Sequence, residues 1–239
     1  MRRCFTSLAL MGAASLGWSQ AAPAAKPATK PSTTMTVAPA HPTAVIDTSA
    51  GKLTCELFPD KAPIGVSNFI GLARGTKDWT SPVTHQKKHG VPLYDGTIFH
   101  RVIPSFMIQG GDPAGTGEGD PGYMFKNETS PDLLFDRPGR LAYANAGPDT
   151  NGSQFFITED VEHSQHLSGG YTIFGQCDDA SVELVKQIAR MGRDGNDRPY
   201  RPVKIVHIAI TGVAPARSLP KTPLKRPAGA ATAKPANPN

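Results

Sequence analysis

Two stretches constrain the fold of this 239-residue chain more than any others: Phe99 to Asp112, FHRVIPSFMIQGGD, and Ala142 to Ile157, AYANAGPDTNGSQFFI. Each joins a run of strand-forming residues to a turn marked by Gly, Pro or Asn. Successive side chains of a strand point to opposite faces. Met107 and Gln109 therefore share a face in the first stretch. In the second, Gln154 and Phe156 share a face, leaving Phe155 and Ile157 for a core. Strand faces packed in a core rarely hold glutamine. The spacing thus predicts an apolar pocket with a polar rim where these two faces meet, with Arg101 beside it. No serine or cysteine stands there as an obvious nucleophile, and His100 has the opposite parity to Arg101, so it is read as structural. No cluster of metal ligands accompanies the site. The expected chemistry is binding and polarisation, without a covalent bond, metal or cofactor.

The remaining pattern is mostly strand. Ala44–Thr48 and Lys52–Phe58 flank Ser49-Ala50-Gly51 as a hairpin. Asp60 is positioned to cap a helix with Ile64, Phe69, Ile70 and Leu72 on its inner face, ended by Gly75. Short strands are predicted at Thr97–Ile103, Phe106–Gln109, Arg140–Ala144, Ser153–Thr158 and Thr172–Gln176. Asp179 is read as the cap of a second helix that buries Val182, Val185, Ile188 and Ala189. Val203–Thr211 closes the domain as a strand. Cys55 and Cys177 sit in apolar runs and read as small core residues rather than as a pair.

The two stretches resemble the signature blocks of the cyclophilins, a family of peptidyl-prolyl cis-trans isomerases. His166–Gly175, HLSGGYTIFG, resembles a third block of the same family. The resemblance runs from about Thr43 to about Thr211, and the loop Thr76–Pro92 looks like that of the bacterial branch. It implies a mainly β fold: a closed eight-stranded antiparallel barrel capped by two α-helices. It also implies catalysis through Arg101, Phe106, Gln109 and Asn145. Substrate would be held by Met107, Ala144, Gln154, Phe156, His166, Leu167 and Tyr171. Many members carry tryptophan where this chain has His166 and histidine where it has Tyr171. Ser168 and Gly170 also replace residues that are often charged, changes expected to tune the pocket wall.

The expected substrates are X-Pro bonds in unfolded or extended polypeptides. The alternative is a chaperone or scaffold module that binds proline segments with incidental isomerase activity. Arg101 favours the enzyme, because rotation about the bond needs a donor rather than a nucleophile.

Composition matters mainly at the two ends. Arg2, Arg3 and the apolar stretch Leu8–Leu16 read as a signal peptide over residues 1–21, with Ser19-Gln20-Ala21 as the cleavage site. That stretch is short for a membrane span of about 20 residues, so no stable membrane insertion is expected after cleavage. Residues 22–42 and 212–239 are Pro/Ala-rich and read as a disordered linker and tail. The isomerase domain is read as residues 43–211. The net charge of +5 arises in these ends, since residues 43–211 hold 16 basic residues against all 20 acids. A mildly acidic domain with thinly spread tail charges argues against a nucleic-acid partner. The chain is read as an exported, periplasmic monomer.

Three local patterns are set aside. Gly117-Glu118-Gly119-Asp120-Pro121-Gly122 matches a phosphate-loop spacing formally, but no helix starts readily across Asp-Pro-Gly. His85/His89 and His163/His166 lack a third ligand. The sequons at Asn127 and Asn151 are not expected to be used, and the second lies within the signature block.

Overall fold

The computed structural model describes residues 41–212. The chain runs β1 (Thr43–Thr48), β2 (Gly51–Leu57), α1 (Pro63–Arg74), β3 (Trp79–Thr80), β4 (Lys87–Lys88), β5 (Arg101–Ile103) and β6 (Met107–Gly110). It continues with β7 (Arg140–Tyr143), β8 (Phe155–Thr158), a 3-10 turn (Gln165–Leu167), β9 (Ile173–Cys177), α2 (Asp179–Ala189) and β10 (Ile205–Thr211). Eight strands form one antiparallel sheet in the order β10-β1-β2-β9-β7-β8-β6-β5, and β3 pairs with β4 apart from it. The edge strands β10 and β5 approach each other through the residues that precede them. Ile98 bridges Lys204. The Phe99 N–H donates to the Val203 carbonyl at 3.0 Å, and the Ile205 N–H donates to the Thr97 carbonyl at 2.8 Å. The expectation of a mainly β domain with two helices holds.

Inside the curled sheet the core centres on Phe69 of α1. Its ring lies 5.1 Å from Tyr94, 5.6 Å from Phe155 and 5.1 Å from Phe174, centroid to centroid. Gly75 ends α1 in the left-handed conformation, φ +70°. The start of α1 corrects the sequence reading. Its N-cap is Ala62, with Pro63 in the first turn and no side-chain cap of its own. Asp60 lies too far back and pairs with His41 at 3.3 Å. The cap comes from a distant loop, where the Glu128 carboxylate accepts the N–H groups of Ile64 and Gly65 at 3.0 and 2.7 Å. The inner face is also different: Val66, Phe69 and Leu72 are buried, Ile70 is half-buried and Ile64 is half exposed.

For α2 the cap is Asp178, one residue earlier than expected. Its side chain accepts the Ser181 N–H at 2.8 Å, while Val182, Val185, Ile188 and Ala189 are buried as predicted. Strict alternation fails in β10, where Ile205 and Ile208 both point inward. Opposite, β1 pairs Asp47 with His207 but Thr48 with Ile205. Val206 is the extra residue of a bulge, which shifts the parity of everything after it.

The two cysteines require a further correction. Both are buried, as their apolar runs imply, but they stand directly opposite each other in the β2–β9 ladder. They form a disulfide with an S–S distance of 2.06 Å across a sequence separation of 122. Residues so far apart give no local sign of pairing. Only the strand order brings them together.

Candidate functional site

The site lies on the outward face of β5, β6, β7 and β8. Antiparallel pairing sets Arg101 opposite Gln109 and Ile103 opposite Met107. Gln109 then stands opposite Phe156, and Phe156 opposite Ala142. Met107, Ala142, Phe156, Ile173 and Phe135 form a second apolar cluster, separate from the core within the sheet. Phe156 stacks on Phe135 at 5.7 Å and meets Tyr171 edge-on at 5.5 Å. Above this floor opens a hollow of about 190 Å³. Phe106, Met107, Phe156 and Leu167 supply its apolar surface, Arg101 and Gln109 stand on one side, and Ala144, Asn145 and Tyr171 complete the rim.

Arg101 is part of a connected polar network. Its Nη1 approaches Oε1 of Gln109 at 3.5 Å, and its Nε lies 3.8 Å from the Asp197 carboxylate. Gln109 donates from Nε2 to Oε1 of Gln154 at 2.9 Å. Gln154 donates in turn to the carbonyls of Gly117 and Gly119, both at 2.9 Å. Those glycines belong to a loop wound around one carboxylate. Asp112 accepts the N–H groups of Ala114, Thr116, Gly117 and Gly119. A Cβ on Gly119 would lie 2.0 Å from Oδ1 of Asp112, so only glycine fits there. The loop with the formal phosphate-binding spacing is therefore already occupied by a side chain of its own molecule.

Burial pushes the Asp112 carboxyl towards a higher pKa, but the Ala114, Gly117 and Gly119 amides and His100 outweigh it. The net result is a pKa below the ordinary value. His100 is buried and its pKa is lowered, chiefly by burial, with Arg198 and Arg101 adding to the shift and Asp112 opposing it.

Two of the residues singled out from sequence, Gln154 and His166, lie outside the lining of this hollow. Gln154 lines an adjoining hollow of about 320 Å³, which shares Gln109, Ala144 and Asn145 with the first. His166 is exposed and stacks on Phe106 at 6.3 Å, outside the lining of the hollow. The Asn145 side chain donates to the Gly170 carbonyl at 3.1 Å and accepts the Gly147 N–H at 3.3 Å, so it is engaged with neighbouring turns.

Sequence reasoning missed Phe135, Asp197 and the organising role of Asp112. Phe135 and Asp197 lie in irregular segments with no periodic signal. Asp112 could have been found, since an acid followed by a glycine-rich turn often accepts local amides. Among the described residues, no group of three His, Cys, Asp or Glu side chains is placed to hold a metal ion.

Residues 43–210 match the family model for the cyclophilin type peptidyl-prolyl cis-trans isomerases. A peptidyl-prolyl cis-trans isomerase A of Mycobacterium tuberculosis is 52% identical over 170 residues, covering 71% of this chain and 92% of that protein. Peptidyl-prolyl cis-trans isomerase B of Streptomyces anulatus is 46% identical over 169 residues, covering 70% and 95%. The crystal structure of a Cryptosporidium parvum cyclophilin type isomerase superposes with a TM-score of 0.61 at 35% identity, over 71% of this chain and 97% of that one.

Proposed function

The chain belongs to the cyclophilin-type peptidyl-prolyl cis-trans isomerases, and on that premise we infer that X-Pro bonds are turned in the Arg101 hollow. The observation that carries this reading is the cross-strand pairing of Arg101 with Gln109 and of Gln109 with Phe156, which sets a guanidinium beside an apolar floor. The substrate's pyrrolidine ring rests on Met107 and Phe156, with Phe106 and Leu167 as walls. Rotation about X-Pro faces a barrier of about 20 kcal/mol, because resonance gives the C–N bond partial double-bond character. As the bond twists, the lone pair localises on the proline nitrogen and becomes an acceptor. Arg101 donates to it from its planar guanidinium fork. Gln109, braced by Gln154, holds the guanidinium. The Asn145 backbone holds the peptide beside the reacting bond. His166 and Tyr171 shape the outer rim, and the Ala144 and Gln154 hollow receives the flanking residues.

The donor gains an acceptor only in the twisted state, so its effect falls on turnover. Arg101→Ala is expected to lower kcat/KM by roughly 10²–10³, about 3–4 kcal/mol, with little change in thermal stability. A protease-coupled assay on short X-Pro peptides measures it. Wild-type turnover in that variant would sink the mechanism.

The same proposal extends to context. The clients are unfolded or extended proteins, met by a monomer in an exported, periplasmic setting. The Cys55–Cys177 bridge supports an oxidising compartment, as does the signal-like start of the chain. The mildly acidic domain gives nucleic acid little to bind. Cell fractionation with N-terminal sequencing of the mature protein tests the export claim. A cytoplasmic chain that still begins at Met1 would refute it.

A further inference from the structure

Phe106 enters the hollow from the turn between β5 and β6, and a residue of another strand braces that turn. Ser105 has φ +60°, a left-handed conformation that non-glycine residues hold only when their surroundings enforce it. Its N–H donates to Oε2 of Glu159 at 2.8 Å. Glu159 then donates its own N–H to the Phe106 carbonyl at 2.8 Å. A single residue, next after β8, thus grips the chain on both sides of the Phe106 side chain. Glu159 is only 3% exposed. Its other oxygen receives Nη1 of Arg190 at 2.6 Å. Arg190 caps the end of α2 and also donates to the Lys186 carbonyl at 2.9 Å.

We propose that Glu159 is a positioning residue for the isomerase reaction: it sets the Phe106 ring against the substrate proline, with Arg190 as the strut that anchors it to α2. The inference rests on the reading of the hollow as the proline site. A buried carboxylate is costly unless it is paired, so Arg190 makes the placement of Glu159 tenable. Charge-assisted hydrogen bonds to such a group are short and directional, which suits it to hold one peptide plane. Without it, Ser105 relaxes towards negative φ, the Ser105–Phe106 peptide rotates, and the ring swings. His166, stacked on the exposed side of Phe106, lies in a short 3-10 turn and offers no comparable anchor. The Phe106 wall touches the proline ring in ground and twisted states alike, so its displacement acts on KM rather than on kcat.

The test uses the whole chain, with kcat and KM for one X-Pro peptide and a melting curve for every variant. Glu159→Ala is expected to raise KM by about fivefold or more with kcat within about twofold. Ser105→Gly alone is expected to be near wild type, because glycine takes φ +60° unaided. Combined with Glu159→Ala, it is expected to bring KM back to within about twofold of wild type. The melting curves separate positioning from a general effect on stability, because a KM that recovers in variants folded at the assay temperature reports the turn and not the folded fraction. Glu159→Gln keeps an acceptor for the Ser105 amide and weakens the tie to Arg190. It is expected to show an intermediate rise in KM, and it serves if the alanine variant does not fold. Unchanged KM in a folded Glu159 variant, or a raised KM that Ser105→Gly fails to restore, overturns the proposal. Arg101→Ala measured alongside separates the two readings. If it is crippled while the Glu159 variants are not, only the positioning role falls. If it keeps wild-type turnover, the assignment of the hollow falls.

Discussion

The two faces of β6, β7 and β8 are both apolar and both buried, yet they have different fates. Ile108, Leu141, Tyr143, Phe155 and Ile157 point into the curled sheet and join the main core. Met107, Ala142 and Phe156, their neighbours in the chain, point outward beside Ile103 and Ile173, and their cover comes from loops that bring Phe135, Leu133, Leu167 and Tyr171 over them. The inner face is covered by rigid elements that pack to completion. The outer face has a partial cover, and the gap in it is the hollow. Stability and recognition are therefore interleaved one residue apart, and mutations at adjacent positions should separate them.

Phe155→Ala and Phe156→Ala are the sharpest pair. Phe155 packs edge-on against Phe69, Tyr94 and Phe99, and its loss leaves a closed cavity. About 3–5 kcal/mol of stability should go, with peptide KM unchanged in whatever remains folded. Phe156 borders the open hollow, which water can refill. Its loss is expected to cost about 1.5–3 kcal/mol, the transfer term alone, and to raise KM several-fold. Denaturant titration together with peptide kinetics on both variants checks this. Equal stability losses, or a KM effect at Phe155, would break the division between faces.

The covalent tie belongs to the inner face. Replacing Cys55 and Cys177 together by alanine is expected to remove about 2–5 kcal/mol, read as a fall in melting temperature, and to leave KM untouched. A KM change would show that the bridge reaches the outer face.

Asp112 offers a smaller probe of the outer face. Its carboxyl titrates lower in the folded chain than when exposed. The stability it contributes is therefore fully present above its unfolded pKa of about 3.9. It is lost as pH falls through the lower folded value. Melting temperature below about pH 4 should fall less steeply in Asp112→Asn than in wild type, and the variant should melt lower at neutral pH. Parallel acid limbs for the two proteins would contradict the assignment.

The smallest effect is expected from truncation after Gly212. The tail 213–239 lies outside the described residues and is read as inert. Melting temperature and KM should both hold. A several-fold fall in KM on truncation would mean that the tail's own X-Pro segments occupy the outer hollow.

The comparison of faces also marks how far the sequence can be read. Strand parity sorted Phe155 and Ile157 from Phe156, and Met107 and Gln109 from Ile108, because a period of two is local and needs no knowledge of neighbours. Gln109 and Gln154 marked which face was not core. Helix α2 was legible because its apolar residues recur at helical spacing, and the end of α1 because glycine readily adopts the left-handed conformation.

Contacts between distant segments stayed hidden. Glu128 caps α1 from 64 residues away, Cys55 meets Cys177 across 122, and Asp197 reaches Arg101 from beyond α2. Each depends on strand order and register, which no local pattern encodes. The bulge at Val206 inverts the face of a single strand and is visible only against its partner. Local chemistry thus determined which residues could serve a proline site. Tertiary structure alone decided how they are braced, since each brace comes from a segment that pairing, and not sequence proximity, puts within hydrogen-bond reach.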